Sequence, residues 1–150
     1  MTFTRITVNP HQMGDALTTL FSGWSETLLL IVAAGIGTAV VSNKGVAAVQ
    51  STLERFGIAD LIELVVGDQP GMPRKPDPAL FTQVVRRAFP TVGHDRVLIV
   101  GDTDADIRFA HNARIRSCWA RYGYGNTDAC MALAPDFVVS APGELASIVL

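Results

Sequence analysis

The stretch Arg96-Val97-Leu98-Ile99-Val100-Gly101-Asp102-Thr103-Asp104-Ala105-Asp106 decides how this chain is read. Four consecutive aliphatic side chains leave no polar alternation, so a strand over Arg96–Val100 is expected to be covered on both faces. Gly101 stops it, three acids follow, and Asp104–Ala113 takes up helical spacing. A strand that empties directly into a helix is half of a strand–helix–strand unit. Such units build parallel sheets with helices on both sides.

The same alternation extends in both directions. Upstream, Ser25 is read as the cap of a short buried helix, Glu26–Ala34, with Gly35 at its C-terminal turn and Ile36–Val41 as the next strand. Gly45–Phe56 follows as a helix, with Val46, Val49, Leu53 and Phe56 on one face, and Gly57 ends it. Ile62–Val66 reads as a strand closed by Gly67. The loop Asp68–Pro78 holds four prolines, and Ala79–Ala88 is helical with Leu80, Val84 and Ala88 inward. Downstream, Ser117–Arg121 and Phe137–Val139 are short strands and Glu144–Val149 is a closing helix. The expected fold is α/β: a Rossmann-like parallel sheet with helices on both faces, whose ligands collect beyond the carboxyl ends of the strands.

Composition limits the function. The 150 residues suit a single domain, and 49% hydrophobic against 17% charged residues excludes intrinsic disorder. Mean hydropathy is +0.31 and the pI is about 5.8. With a net charge of −2 there is no basic field for a nucleic-acid backbone or an anionic membrane. Cys118 and Cys130 lie twelve apart with no histidine between them, which suggests neither a disulfide framework nor a zinc site. The uncharged run Thr27–Asn43 is seventeen residues long and broken by Gly35 and Gly37, so it is read as helix and strand rather than a membrane span. No secretory leader is seen, and a cytoplasmic setting is expected.

Three strand ends carry chemistry. The strand Ile36–Val41 runs into Ser42-Asn43-Lys44-Gly45 and then a helix, where a hydroxyl and free amide N–H groups can cradle an anion. Taken alone, Ser42 and Asn43 read equally well as helix caps. Lys75 stands in the proline-rigid loop Arg74-Lys75-Pro76-Asp77-Pro78, where a solvated lysine is the plain alternative. Asp102, Asp104 and Asp106 crowd the third strand end. They suit a hard cation such as Mg²⁺, or else Asp104 caps the helix and the others are solvated. Of twelve basic residues only Lys44 and Lys75 are lysines, and both lie in these segments. That bias is natural where a compact ammonium must meet a phosphoryl group.

In this order the segments resemble the haloacid dehalogenase superfamily of phosphohydrolases, and most closely its phosphoglycolate phosphatase-like branch. The family's second motif corresponds to Val40-Val41-Ser42-Asn43-Lys44. Its third corresponds to Lys75-Pro76-Asp77-Pro78, and its fourth to Gly101-Asp102 through Asp106. Tyr122-Gly123-Tyr124-Gly125 and Pro135-Asp136-Phe137-Val138-Val139 with Glu144-Leu145 add to the likeness. The resemblance implies a Mg²⁺-dependent phosphomonoester hydrolase acting on a small phosphorylated metabolite, with a homodimer among the allowed assemblies. It implies that Ser42 and Asn43 bind the phosphoryl oxygens and that Lys75 offsets charge during transfer. It further implies that Asp102 holds the metal and that Asp106 supports the metal or Lys75. These roles suit phosphoryl transfer, which rests on positioning and charge neutralisation.

The family's first motif, an apolar strand followed by Asp-x-Asp-x-Thr, has no counterpart here. Its first aspartate attacks phosphorus and its second protonates the leaving group. Asp15 has neither a preceding apolar strand nor a second acid two residues on. Phe3–Val8 can form a strand but leads into Asn9-Pro10-His11, and an asparagine cannot form an acyl-phosphate. Asp102-Thr103-Asp104 has the spacing, but residue 106 is Asp rather than Thr and no lysine follows. No nucleophile is found. Most of the family's cap segment is missing too, so residues 1–21 are read as a cap-derived N-terminal remnant and 22–150 as the core domain.

The omission carries a structural expectation. The family's first strand is central, and without it two strands would bury unpaired backbone groups at about 1–3 kcal/mol each. Either Phe3–Val8 fills the slot, or a partner chain does, or the pairing changes. Arg114, where relatives turn with glycine, is expected to bear a left-handed backbone at some cost. A non-catalytic phosphate- or Mg²⁺-binding remnant, or an interaction module, is the competing reading. A receiver domain of response-regulator type is excluded by chain order, because Ser42 and Lys75 precede the acids. An EF-hand is excluded by Ile107 and Ala113 at its glycine and glutamate positions.

Overall fold

The computed structural model of the chain describes residues 5–8, as backbone, and 20–150. One six-stranded sheet has the order β3-β2-β1-β4-β5-β6, every pair parallel. Its strands are β1 (Arg5–Val8), β2 (Gly37–Gly45), β3 (Leu64–Asp68), β4 (Val97–Gly101), β5 (Arg116–Ala120) and β6 (Phe137–Val139). The helices are α1 (Trp24–Ala33), α2 (Val46–Arg55), α3 (Arg86–Ala88), α4 (Asp104–Ala113), α5 (Thr127–Ala132) and α6 (Glu144–Val149). A π-wound turn, Phe81–Val85, runs directly into α3.

Alternation along each strand divides the core in two. Leu98 and Val100 of β4 join Val40, with Trp24, Leu28 and Ile31 of α1, Val49 and Leu53 of α2, and Leu145 and Val149 of α6. Val97 and Ile99 point the other way, with Val41, Phe81, Val85, Phe109, Ala110 and Ala113. The strands are thus covered on both faces, as their unbroken apolar runs require. No helix among the described residues is long and apolar enough to cross a membrane. The uncharged run 27–43 is shared between α1, a left-handed turn at Gly35 (φ 76°) and β2.

The central slot is filled from within the chain. β1 lies between β2 and β4, with Val8 in register with both Val40 and Val100. Of the three expected outcomes, this is the first. It also creates a topological switch point, because β2 and β3 build outward on one side of β1 and β4 to β6 on the other. At such a point the loops part and leave a crevice beyond the strand ends.

Several boundaries differ from the sequence reading. α1 begins at Trp24, capped by Gly23 (φ 93°) rather than by Ser25, because the large Trp24 ring is buried and draws the first turn under the sheet. Thr27 Oγ1 then donates to Gly23 O at 2.6 Å. β2 continues past Val41 to Gly45, whose partner is Asp68 after a shift of register. β3 starts at Leu64 because a 3₁₀ turn, Ala59–Leu61, occupies the residues just before it. α5 has no counterpart in the reading. It is one short turn and a half, capped by Asn126, whose Oδ1 accepts from Ala129 N at 2.9 Å.

Candidate active site

Ser42 and Asp102 each lie two residues beyond Val40 and Val100, the register partners of one residue on the strand between them. Two strand spacings separate their backbones by roughly 10 Å, the width of a pocket for one phosphoryl group and its ligands. Both side chains are buried, Ser42 at 2% and Asp102 at 0% exposure. Asn9, Pro10 and His11, which follow β1 in sequence, lie outside the described residues, as does Asp15.

Lys75 reaches this edge from a distant loop, and Asn43 holds it there. The Asn43 carboxamide donates from Nδ2 to Lys75 O at 3.2 Å and accepts from Lys75 N at 3.0 Å, pairing both ends of the peptide as a neighbouring strand would. Asn43, expected at the anion, therefore positions the lysine with its side chain. Asn112 Nδ2 donates to Pro76 O at 3.0 Å, and the Arg74 guanidinium donates to Asn43 O at 3.2 Å, which fixes the loop at two further points. The Lys75–Pro76 peptide is cis.

The lysine head group is buried against one acid. Lys75 Nζ donates to Asp106 Oδ1 at 2.7 Å, with the two side chains 5% and 2% exposed. The second Asp106 oxygen accepts from Thr103 N at 3.1 Å and Thr103 Oγ1 at 2.9 Å. Thr103 and Asp106 thereby form a capping box at the start of α4, so the cap is Thr103 rather than Asp104. The signal was in the sequence, as Thr-x-x-Asp at the head of a helix. Of the two supporting roles the resemblance offers Asp106, these contacts serve the one toward Lys75.

Asp102 is gripped from the far side. Tyr124 N donates to Asp102 Oδ2 at 2.9 Å, and Trp119 Nε1 donates to Asp102 O at 3.1 Å. The loop presses so closely that a Cβ at Gly123 would meet Asp102 Cβ at 2.3 Å, and one at Gly125 would meet Asp102 O at 2.0 Å. Gly101 is equally constrained: a Cβ there would meet Asp106 Cβ at 2.1 Å. Sequence reasoning missed Trp119, which lies inside an apolar strand, because its single polar atom finds its partner only in three dimensions.

The donor groups present could serve an anion beside a hard cation. The Ser42 Oγ lone pairs accept from Lys44 N at 2.9 Å, which leaves the hydroxyl proton to donate. Lys75 has three ammonium protons, and Asp106 takes one. Among the described residues no three His, Cys, Asp or Glu side chains gather to enclose a metal. One carboxylate is enough for Mg²⁺ where substrate phosphate and water complete the shell, and Asp102 fits that part.

A family model for haloacid dehalogenase-like hydrolases matches residues 2–120. The chain belongs to that family. Among curated relatives, a phosphoglycolate phosphatase of Vibrio cholerae is 33% identical over 140 residues, covering 93% of this chain and 61% of the relative. One from Cereibacter sphaeroides is 35% identical over 109 residues, covering 73% of this chain and 48% of the relative. Among solved structures, a predicted phosphoglycolate phosphatase from Haemophilus somnus superposes with a TM-score of 0.83 at 29% identity, covering 93% of this chain and 60% of that one. The chain thus spans between 48% and 61% of the length of these three relatives.

Proposed function

We propose that this chain carries the phosphoryl-handling core of a Mg²⁺-dependent phosphomonoester hydrolase of phosphoglycolate phosphatase type, acting on a small organic phosphate. The observation that carries this reading is the buried Lys75–Asp106 pair at 2.7 Å, standing at the strand edge that also bears Ser42 and Asp102. A lysine held by a carboxylate keeps its direction, and its remaining protons make charge-assisted hydrogen bonds to phosphoryl oxygens. Ser42 donates its hydroxyl proton to the same group. Asp102 would hold Mg²⁺, which supplies further charge neutralisation of the phosphoryl oxygens when bound. The Tyr124 amide orients the Asp102 carboxylate, and Asn43 sets the reach of Lys75.

A second reading is favoured by one specific feature: the central strand is followed by Asn9-Pro10-His11, with no carboxylate to attack phosphorus. On that reading the site binds phosphate without turning it over. The purified chain is assayed for Mg²⁺-dependent release of p-nitrophenol from its phosphate. Turnover abolished by Asp102→Ala supports hydrolysis. Phosphate-induced shifts of the Ser42 and Lys75 resonances without turnover support binding alone. Neither turnover nor binding removes both readings.

A further inference from the structure

We propose that Tyr124 and Phe21 form a leaving-group subsite selective for phosphate esters that carry an aromatic ring. The inference rests on the phosphoryl site proposed above and deepens it by naming a substrate class.

The loop Tyr122-Gly123-Tyr124-Gly125 has almost no freedom next to Asp102. Its middle amide is bonded to the carboxylate, and neither glycine has room for a methyl group. Tyr124 is therefore fixed at the rim of the phosphoryl site, two bonds from an amide that touches Asp102. Tyr124 is nevertheless 68% exposed. Phe21 stands opposite, 6.2 Å from the Tyr124 ring centroid at an interplanar angle of 50°. That angle leaves the two rings splayed rather than stacked. Phe21 is itself braced edge-on by Tyr122, at 5.1 Å and 73°. It also packs against the core cluster of α1, α2 and α6.

A ring seated against Tyr124 has the Phe21 ring beside it, whereas a two-carbon acid has nothing to place there.

The test is a binding titration of the purified chain in Mg²⁺ with inorganic phosphate, ethyl phosphate, cyclohexyl phosphate and phenyl phosphate, read by chemical shifts. Phenyl phosphate is expected to bind roughly three- to tenfold more tightly than ethyl phosphate, the range a favourable ring contact gives, with cyclohexyl phosphate in between. Tyr124→Ala is expected to erase the phenyl margin and Tyr124→Phe to keep it. Equal affinities for phenyl and ethyl phosphate, or a margin that survives Tyr124→Ala, overturn the subsite while leaving the phosphoryl site intact. No binding of inorganic phosphate overturns the phosphoryl site, and the subsite falls with it.

Discussion

Replacing Asp106 by asparagine tests the central electrostatic feature of the site. The substitution keeps the side-chain shape, and its carbonyl can still accept from Thr103, so the cap of α4 is largely preserved. It removes the negative charge 2.7 Å from Lys75 Nζ and puts the amide NH2, a donor, where Oδ1 accepted, between side chains that are 5% and 2% exposed. Leaving one member of a buried ion pair without its counter-charge costs about 3–5 kcal/mol. Against a typical domain stability of about 5–15 kcal/mol, that is a large fraction, and it raises the unfolding constant between about a hundredfold and a few thousandfold. Urea unfolding followed by circular dichroism measures the loss. The double variant Lys75→Met with Asp106→Asn removes both charges and is expected to recover most of it, because no uncompensated charge then remains. A loss below about 1 kcal/mol for Asp106→Asn, or a double variant as unstable as the sum of the singles, would refute the assignment of a buried, mutually dependent pair.

Three further outcomes are expected. Arg114 sits at φ 57° after α4, so Arg114→Gly is expected to raise stability by about 1 kcal/mol in urea, the cost of a left-handed non-glycine residue. Burial works to raise the Asp136 carboxyl, but the Ser117 amide and hydroxyl and the Arg116 guanidinium at 2.7 Å outweigh it and hold it below its ordinary 3.8. A depressed folded value means the contribution is complete above that ordinary value and lost as pH falls through the folded one. Unfolding free energies between pH 7 and 3 should therefore fall less steeply in Asp136→Asn than in the parent. Burial, with a smaller push from the Glu144 charge, raises the Cys118 thiol to about 12, so alkylation at pH 8 is expected to spare Cys118 until denaturant is added.

Much of the fold is legible because it is local. The limits of α4, β6 and α6 follow from apolar spacing and from the residues that stop each element, and the structure keeps all three as read. Arg114 was singled out through the resemblance, as a place where relatives turn with glycine, and the structure gives it a left-handed backbone. The start of α1 was misplaced because Ser25 has the chemistry of a cap, while the burial of Trp24 decides the matter. The extension of β2 to Gly45 was missed because Ser42, Asn43 and Lys44 look like loop residues until Asp68 is found alongside.

The site divides in the same way. Ser42, Lys75, Asp102 and Asp106 stand out as polar residues at the ends of apolar runs, which is information carried within a few residues of each. Which of them meet is another matter. The sequence by itself determined the succession of strands and helices, the double covering of the sheet and the set of reactive side chains at one edge. Only the tertiary structure decided that β1 lies between β2 and β4, that the Asn43 amide closes on Lys75 rather than on an anion, and that Tyr124 grips Asp102. The physical reason is separation along the chain: Asn43 and Lys75 are 32 residues apart and Lys75 and Asp106 are 31 apart. No local preference selects a hydrogen-bond partner over that distance. The choice is made when parallel strands, each reached by a crossover, settle into one order.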